Sequence, residues 1–542
     1  MTASPATSTA QEWISHDPDP QTAAELSECS QEELERRFAH PLTFGTAGLR
    51  GPLRGGPSGM NLAVVLRASW AVAKVLKDRG LAGQDVIVGR DARHGSDEFA
   101  LAAAEVLAAH GFRVTLFFTA VPTPIVAFAV RHRPAAAGIQ ITASHNPPSD
   151  NGFKVFFGGG FPILAPTDRE IEQAMAEAPH ADEIPRQAVT PGGVDEVQRY
   201  VERAANVRHT RGSVRVAFTP LHGVGGEFAL DAFVRAGFSD VHVVEDQFAP
   251  DADFPTVTSA NPEEPEAVEA VLKLAADVDA EVAIALDPDA DRCAVGVPTS
   301  DGWRMLSGDE TGWLLGDYIL SQIEPGAVTE STVVASSLVS SRMLAAIARE
   351  QGARHVETPT GFKWLSRADV DLPGCTLVYA YEEAIGHCVD PSAVRDKDGI
   401  SAAVLVCDLI AALRDRGHTL LDALDDLARR HGVHTTTAVS RPVEDAQEAN
   451  AVMTRLRETP PDRLGGYEVT VTDLEPDDGT DALILTGGGD DIAVRVVVRP
   501  SGTEPKVKSY IEVRSSDVAD LAAARERAER VQDELAGLCS RF

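Results

Sequence analysis

VRVAFTP at residues 214–220, EFALDAFVRAGF at 227–238, DVHVVED at 240–246, PEAVEAVLKLAADV at 265–278 and EVAIALDPDADR at 281–292 form the stretch that decides the fold. Short β-rich runs alternate with amphipathic helical runs, the pattern of βαβ units on a mainly parallel sheet. The same rhythm precedes it, from a helix-like run at Asn61 to Asp78 through DVIVGRD, DEFALAAAEVLAAHGF and RVTLFFTAV to GIQITASH, which ends at His145. It follows again from ETGWLLGDYILSQI through STVVASSLVSS and HVETPTG to TLVYAYEEAIGH, which ends at His387. Each repeat delivers one polar loop at a strand end, where the ligands of open α/β sheets bind. After a long helix from Gly399 to Asp415, the segment from about Thr435 reads as strands and helices of a different kind, closing with a charged helix from Val518 to Leu538. The expected fold is α/β, with three similar mixed βαβ-type domains plus a smaller C-terminal α+β domain around a central cleft. The expected boundaries are 1–206, with residues 1–35 partly a tail, then 207–325, 326–433 and 434–542.

The 542 residues suffice for three or four domains of roughly 150 residues each. The 82 acidic against 49 basic side chains give a formal charge of -33, which repels phosphate backbones and anionic bilayers, so neither nucleic acid nor membrane is an expected partner. The six cysteines, Cys29, Cys293, Cys375, Cys388, Cys407 and Cys539, include no CxxC pair, and they read as buried reduced thiols. The start, MTASPATSTAQEW, lacks a cationic region and an apolar core, and no run reaches the roughly 18 apolar residues of a membrane span. The expected location is cytoplasmic.

Four loops carry chemistry. Asp287, Asp289 and Asp291 stand at alternate positions after an apolar strand and can converge on a hard cation such as Mg2+. An EF-hand does not fit, because Arg292 takes the place of its glycine and Pro298 that of its final glutamate. Arg292 beside three carboxylates suggests a site that also holds an anion, although acidic turns are often merely solvated. The second loop, from Thr142 through Ser144, His145, Asn146 and two prolines to Lys154, is built to hold a shape. A serine acting on phosphate needs something to move its proton and positive charge to balance the phosphoryl oxygens. The third loop contains Glu382, Glu383, Gly386 and His387, offering acceptors for sugar hydroxyls and an imidazole for proton relay, or else simply an acidic helix start. In the fourth, Arg499, Ser501, Gly502 and Thr503 can cradle a phosphate dianion, or make a polar turn. No Walker loop occurs, and Gly223-Val-Gly225-Gly226 has Phe228 where a dinucleotide fingerprint needs glycine.

In chain order, TFGTAGLRG from Thr43, TASHNPPSDNGFK, DPDADR, TPTGFK, EEAIGH and RPSGTEPK together resemble the α-D-phosphohexomutase family over nearly the whole chain. The resemblance implies a phosphoserine at Ser144, with Mg2+ held by its phosphate and by Asp287, Asp289 and Asp291. It puts Arg50 near the phosphoserine and makes His145, Lys154 and His387 candidates for proton transfer and charge balance. It further implies that Arg292, Thr360, Gly361 and Lys363 line the cleft, and that Glu383, with Glu382 beside it, grips sugar hydroxyls. Arg499, Ser501, Gly502 and Thr503 would hold the non-reacting phosphate. The four segments become, in order, a phosphoserine, a metal-binding, a sugar-recognition and a phosphate-binding domain.

The implied activity interconverts hexose 1-phosphate and hexose 6-phosphate, glucose favoured and mannose possible, with a sugar 1,6-bisphosphate as activator and intermediate. The expected partner is a phosphosugar, and the expected state a monomer or homodimer. Departures from the family pattern are Ala47 in place of an Asp common there, and Pro288 and Ala290 in place of glycines. Another is Glu383-Ala384-Ile385-Gly386-His387 in the sugar loop. That loop resembles the branch of phosphopentomutases and glucose bisphosphate synthases, which are the alternative activities. A phosphosugar-binding protein without turnover is the non-enzyme alternative.

Overall fold

Strand Val282–Leu286 is buried at every position in the computed structural model, which describes residues 5–45, 48–324, 326–474, 480–501 and 506–542. An unbroken apolar run of this kind belongs to a parallel strand covered on both faces, with Val282, Ile284 and Leu286 each contributing roughly 1.5–3 kcal/mol on burial. The strand pairs in parallel with Arg215–Thr219, which pairs in parallel with Asp240–Val243. On its other side the chain doubles back antiparallel as Cys293–Thr299. Helices Gly226–Ala236 and Pro265–Asp277 make the crossovers.

The same plan recurs on either side. Ala137–Ile141 lies beside Asp85–Arg90, which lies beside Arg113–Leu116, all parallel, and Asp150–Phe157 returns antiparallel. Thr376–Glu382 lies beside Thr332–Ser337, which lies beside Arg354–Thr358, again all parallel. In each repeat the polar loop leaves the third strand, which gives the equivalent segments 142–149, 287–292 and 383–385. The last domain is an antiparallel sheet with Lys506–Ser515 between Val433–Pro442 and Ile492–Pro500, flanked by helices Ala446–Glu458 and Leu521–Cys539. The α/β fold with a distinct C-terminal domain is therefore as the sequence pattern implies.

Two details differ from that pattern. Residues expected to be partly a tail form helices Pro5–Ser15, Pro20–Glu28 and Gln31–Ala39. Asp19 and Ser30 cap the second and third of them, Leu26 is buried, and Trp13 packs on the core of the first domain. The helix Gly308–Gln322 carries a Ser307/Glu310 capping box and packs against Thr376–Glu382 and Met343–Gln351, so the second domain ends near residue 306 rather than at 325.

The chain divides into two compact units, Met1–Met305 with Gly386–Ala411, and Leu306–Ile385 with Ala412–Phe542. No helix among the described residues is long and apolar enough to cross a membrane. In the second unit, Leu338 and Val339 of the third domain pack with Ala482, Ile484 and Val497 of the fourth. Beside them the buried Glu512 carboxylate accepts from Ser341 Oγ at 2.6 Å and the Arg342 amide at 2.9 Å, and pairs with His434 Nδ1 at 2.8 Å. Burial alone would raise its pKa, but the His434 contact and the two donors outweigh burial and bring it down to about 2. A carboxyl depressed on folding stabilises the protein above its unfolded pKa, about 4.3, and loses that contribution as pH falls toward 2. Glu512→Gln should therefore lower the thermal midpoint at pH 7 and flatten its fall between pH 4.5 and pH 2, as followed by circular dichroism.

Candidate active site

Ser144 follows strand Ala137–Ile141 with φ 55°, a left-handed backbone that is uncommon for serine, and its residue is only 1% exposed. Strain held this way marks a loop whose shape the surroundings determine. Its Oγ donates to Asp287 Oδ2 at 2.8 Å and lies 3.2 Å from His145 Nδ1. Burial, then Arg292 and Arg50, hold the His145 imidazole well below its usual pKa, so it is neutral and able to accept a proton. Arg50, on strand Leu49–Pro52, donates to Asn146 Oδ1 at 3.2 Å.

One oxygen each of Asp287, Asp289 and Asp291 lie within 4.8 Å of one another, and all three residues are buried. Lys154, from the antiparallel strand Asp150–Phe157, donates to Asp289 Oδ2 at 2.6 Å and Asp291 Oδ2 at 2.8 Å. Burial would push both carboxyls up, but Lys154 overrides it and holds them below the usual range, helped at Asp291 by Lys397 and Arg292. Asp287 goes the other way, raised first by burial and then by its two acidic neighbours. Among the described residues, Asp289 Oδ1 and Asp291 Oδ1 have no hydrogen-bond partner. Clustered oxygen donors and these two orphaned atoms fit a hard divalent cation.

Three further contributors escaped the reading of motifs. Arg93 is buried, and its guanidinium donates to the carbonyls of Ser144, Asn146, Pro147 and Asp150 at 2.5–3.0 Å, clamping the serine loop. Thr123 donates its hydroxyl to Asp289 Oδ2 and its amide to the Asp289 carbonyl at 2.9 Å. Lys397 Nζ stands 3.3 Å from Asp291 Oδ2. The sequence signal for Arg93 was available, since DARHG directly follows strand Asp85–Arg90.

Glycines set this loop as much as its acids do. A Cβ at Gly223 would lie 2.3 Å from Pro288 Cα, so the GVGG segment acts as the close-packed floor of the aspartate turn. Ala290 sits at φ 54°, which accounts for glycine at this position in the family pattern.

His387, a sequence candidate in the same unit, is fully buried with its pKa lowered by burial to about 3, and the preceding Gly386 bridges to Arg292. Arg292 donates its amide to Asp287 Oδ1 at 3.1 Å and extends its guanidinium to Glu263 at 3.2 Å.

In the second unit, Glu382 ends strand Thr376–Glu382, and the Glu383 carboxylate accepts from Ser337 Oγ at 3.1 Å and Ser340 Oγ at 3.2 Å. Gly308 makes room for this turn, since a Cβ there would meet the Glu383 carbonyl at 1.9 Å. Ile385 follows at φ 53°, an outlier for a β-branched residue. Thr360 and Gly361 lie between strand Arg354–Thr358 and the short helix Phe362–Leu365, which carries Lys363. Arg499 lies at the end of strand Ile492–Pro500, and the Ser501 amide bonds to the Lys506 carbonyl at 2.8 Å, opening a hairpin loop. Gly502 and Thr503, like Ala47, lie outside the described residues.

Comparison with known proteins decides the family. The models of phosphoglucomutase/phosphomannomutase domains I, II and III and of the C-terminal domain match residues 41–182, 198–301, 307–431 and 442–534. The chain belongs to the phosphoglucomutase/phosphomannomutase family. It is similar to the Haemophilus influenzae protein named "Probable phosphomannomutase", 38% identical over 85% of this chain and 94% of that one. It is also 33% identical to a human phosphopentomutase, over 90% and 87% of the two chains, and 32% identical to a Staphylococcus haemolyticus phosphoglucomutase, over 92% and 95%. This family member is a phosphomutase, an isomerase acting by intramolecular phosphotransfer.

Two substitutions test the geometry. Arg93→Ala, which leaves four carbonyls and the nearby Asp91 without their cation, should cost roughly 3–5 kcal/mol and speed amide exchange across residues 142–152. Gly223→Ala should lower turnover at least about tenfold through displaced aspartates, without removing any ligand atom, while urea unfolding shows a folded protein.

Proposed function

We propose that this phosphomutase interconverts hexose 1-phosphate and hexose 6-phosphate, glucose favoured over mannose, through phosphorylated Ser144 and a sugar 1,6-bisphosphate. The observation that carries this reading is the buried, left-handed Ser144, whose Oγ lies 2.8 Å from one carboxylate of a cation-competent triad. Mg2+ would be held by Asp287, Asp289, Asp291 and the seryl phosphate, and when bound it supplies charge neutralisation for the phosphoryl oxygens.

In the forward transfer the bond from phosphorus to Ser144 Oγ breaks, a bond to the free sugar hydroxyl oxygen forms, and that hydroxyl gives up its proton. His145, 3.2 Å from Ser144 Oγ, is the candidate to take it, with His387 a second candidate. Asp289 and Asp291 more than offset the effect of burial and raise the Lys154 pKa, so its ammonium balances charge. Arg50 and Arg292 add positive charge around the transferred group. Glu383, fixed by Ser337 and Ser340, accepts from sugar hydroxyls, with Glu382 beside it. Thr360, Gly361 and Lys363 contribute to sugar binding, and Arg499, Ser501, Gly502 and Thr503 to holding the non-reacting phosphate. The bisphosphate then turns over and returns its other phosphoryl group to Ser144.

The names of the relatives span mannose, pentose and glucose, and the sugar loop departs from the common glucose pattern. A phosphopentomutase is therefore the second reading, favoured by Ala384-Ile385-Gly386-His387 after Glu383.

Mass spectrometry of the purified enzyme should find about 80 Da added to the peptide carrying Ser144. Ser144→Ala should lower kcat by a factor on the order of a thousand or more with bisphosphate supplied, and retention of full turnover would sink the assignment. Asp289→Asn should raise the Mg2+ concentration needed for half activity. A panel of glucose, mannose, ribose and glucosamine phosphates fixes the sugar, and a strong ribose preference would replace hexose by pentose.

A further inference from the structure

The second unit holds a cavity of about 530 Å³ between helix Met343–Gln351 and the strand ends of the fourth-domain sheet. None of the residues lining it belongs to the candidate active site. Its walls carry four guanidinium groups, Arg342, Arg349, Arg495 and Arg514, against two carboxylates, Glu357 and Glu512. In a chain of net charge -33 such a concentration of arginine stands out.

The two acids are already engaged. Glu357 is shared by Arg495 at 3.3 Å and Arg342 at 3.8 Å, and Glu512 is bonded to Ser341, the Arg342 amide and His434. Arg495 is only 5% exposed and is fixed further by the Leu338 carbonyl at 2.6 Å. Arg514 bonds a carbonyl, that of His431, at 2.9 Å. Among the described residues neither Arg514 nor Arg349 has a carboxylate partner. The four arginines and two glutamates alone therefore leave the lining positive by two. His355 is held neutral by burial and by Arg342, which lower its pKa to about 4.

Guanidinium forks set on rigid elements match phosphoryl oxygens in shape and charge. The volume falls within the range of small-molecule sites and exceeds what a lone phosphate fills. We infer that this cavity is a second anion site, distinct from the active site, for a small organic molecule carrying two phosphoryl groups. Arg342 and Arg349 come from the third domain, Arg495 and Arg514 from the fourth, so the ligand bridges the two.

Two sources share that chemistry, a nucleoside diphosphate and a bisphosphorylated sugar. Isothermal titration of full-length Ser144→Ala enzyme, which cannot turn over, with ADP and, separately, with glucose 1,6-bisphosphate distinguishes them, the bisphosphate's active-site binding being a separate class of sites outside the stoichiometry counted below. At least one probe should bind with one-to-one stoichiometry. The double variant Arg349→Glu/Arg514→Glu should weaken that binding at least tenfold while, with Ser144 intact, kcat/KM without either probe and the circular dichroism spectrum stay unchanged. Loss of ADP binding assigns the nucleotide, and loss of bisphosphate binding alone assigns the sugar. Absence of binding by both probes, or equal binding with and without the double substitution, overturns the site. Mutase activity is read separately, so failure here leaves the hexose reading standing.

Discussion

Three carboxylates held within 4.8 Å set the terms for the first unit. Two unit charges about 4 Å apart repel by roughly 4 kcal/mol at an effective dielectric constant near 20, so the aspartate turn is tolerable only with cations packed against it. Lys154 is that neighbour, and it comes from a different domain. Ser144 and Thr123 reach the same turn from the first domain, by hydroxyl to Asp287 and by hydroxyl and amide to Asp289. Charge compensation therefore does structural work as well: the contacts that make the aspartates tolerable also fix the first two domains to each other. The Asp289 Oδ1 and Asp291 Oδ1 atoms left without a hydrogen-bond partner among the described residues are what a divalent ion would satisfy.

The placement of chemistry follows from a topology used three times. Each repeat puts its third parallel strand beside the first, so the loop leaving that strand emerges at the carboxyl end of the sheet. In one repeat that loop carries the serine, in the next the aspartates, and in the last the glutamates. Strained backbone recurs with it, at Ser144, Ala290 and Ile385, one in each loop. A turn that must present polar groups at a fixed position leaves little freedom to relax, and the buried strands anchor its ends.

That architecture was legible in the sequence because it depends on local signals. Apolar runs such as VAIAL mark strands buried on both faces, and the dense acidic and proline-containing turns stand out from the helices around them. What escaped notice depends on partners distant in the chain. Arg93 matters only because the carbonyls of residues 144–150 converge on it, and Thr123 only because Asp289 lies beside it. Lys397 matters only because Asp291 Oδ2 stands 3.3 Å away. The N-terminal helices carry few apolar residues, so their order rests on a handful of anchors such as Trp13 and Leu26 and gives no strong periodic signal. Gly223 and Gly225 resembled a weak nucleotide fingerprint, whereas their function is steric, because they let the aspartate turn approach.

A net charge of -33 and an anionic substrate are compatible because of distance. At physiological ionic strength, charges separated by more than about 8 Å of solvent are largely screened, so the surplus acids of the outer surface exert little force at the serine. Groups removed from water are screened far less, and those around Ser144 are Lys154, Lys397, Arg292 and Arg93, each with its charge at 4.0 Å or less from a loop acceptor or carboxylate. Their fields act over a few ångströms in a medium of low polarisability, where a single cation outweighs many remote acids. The surface charge thus governs what the protein repels within a few ångströms of its exterior, and the buried cations govern what it binds at contact.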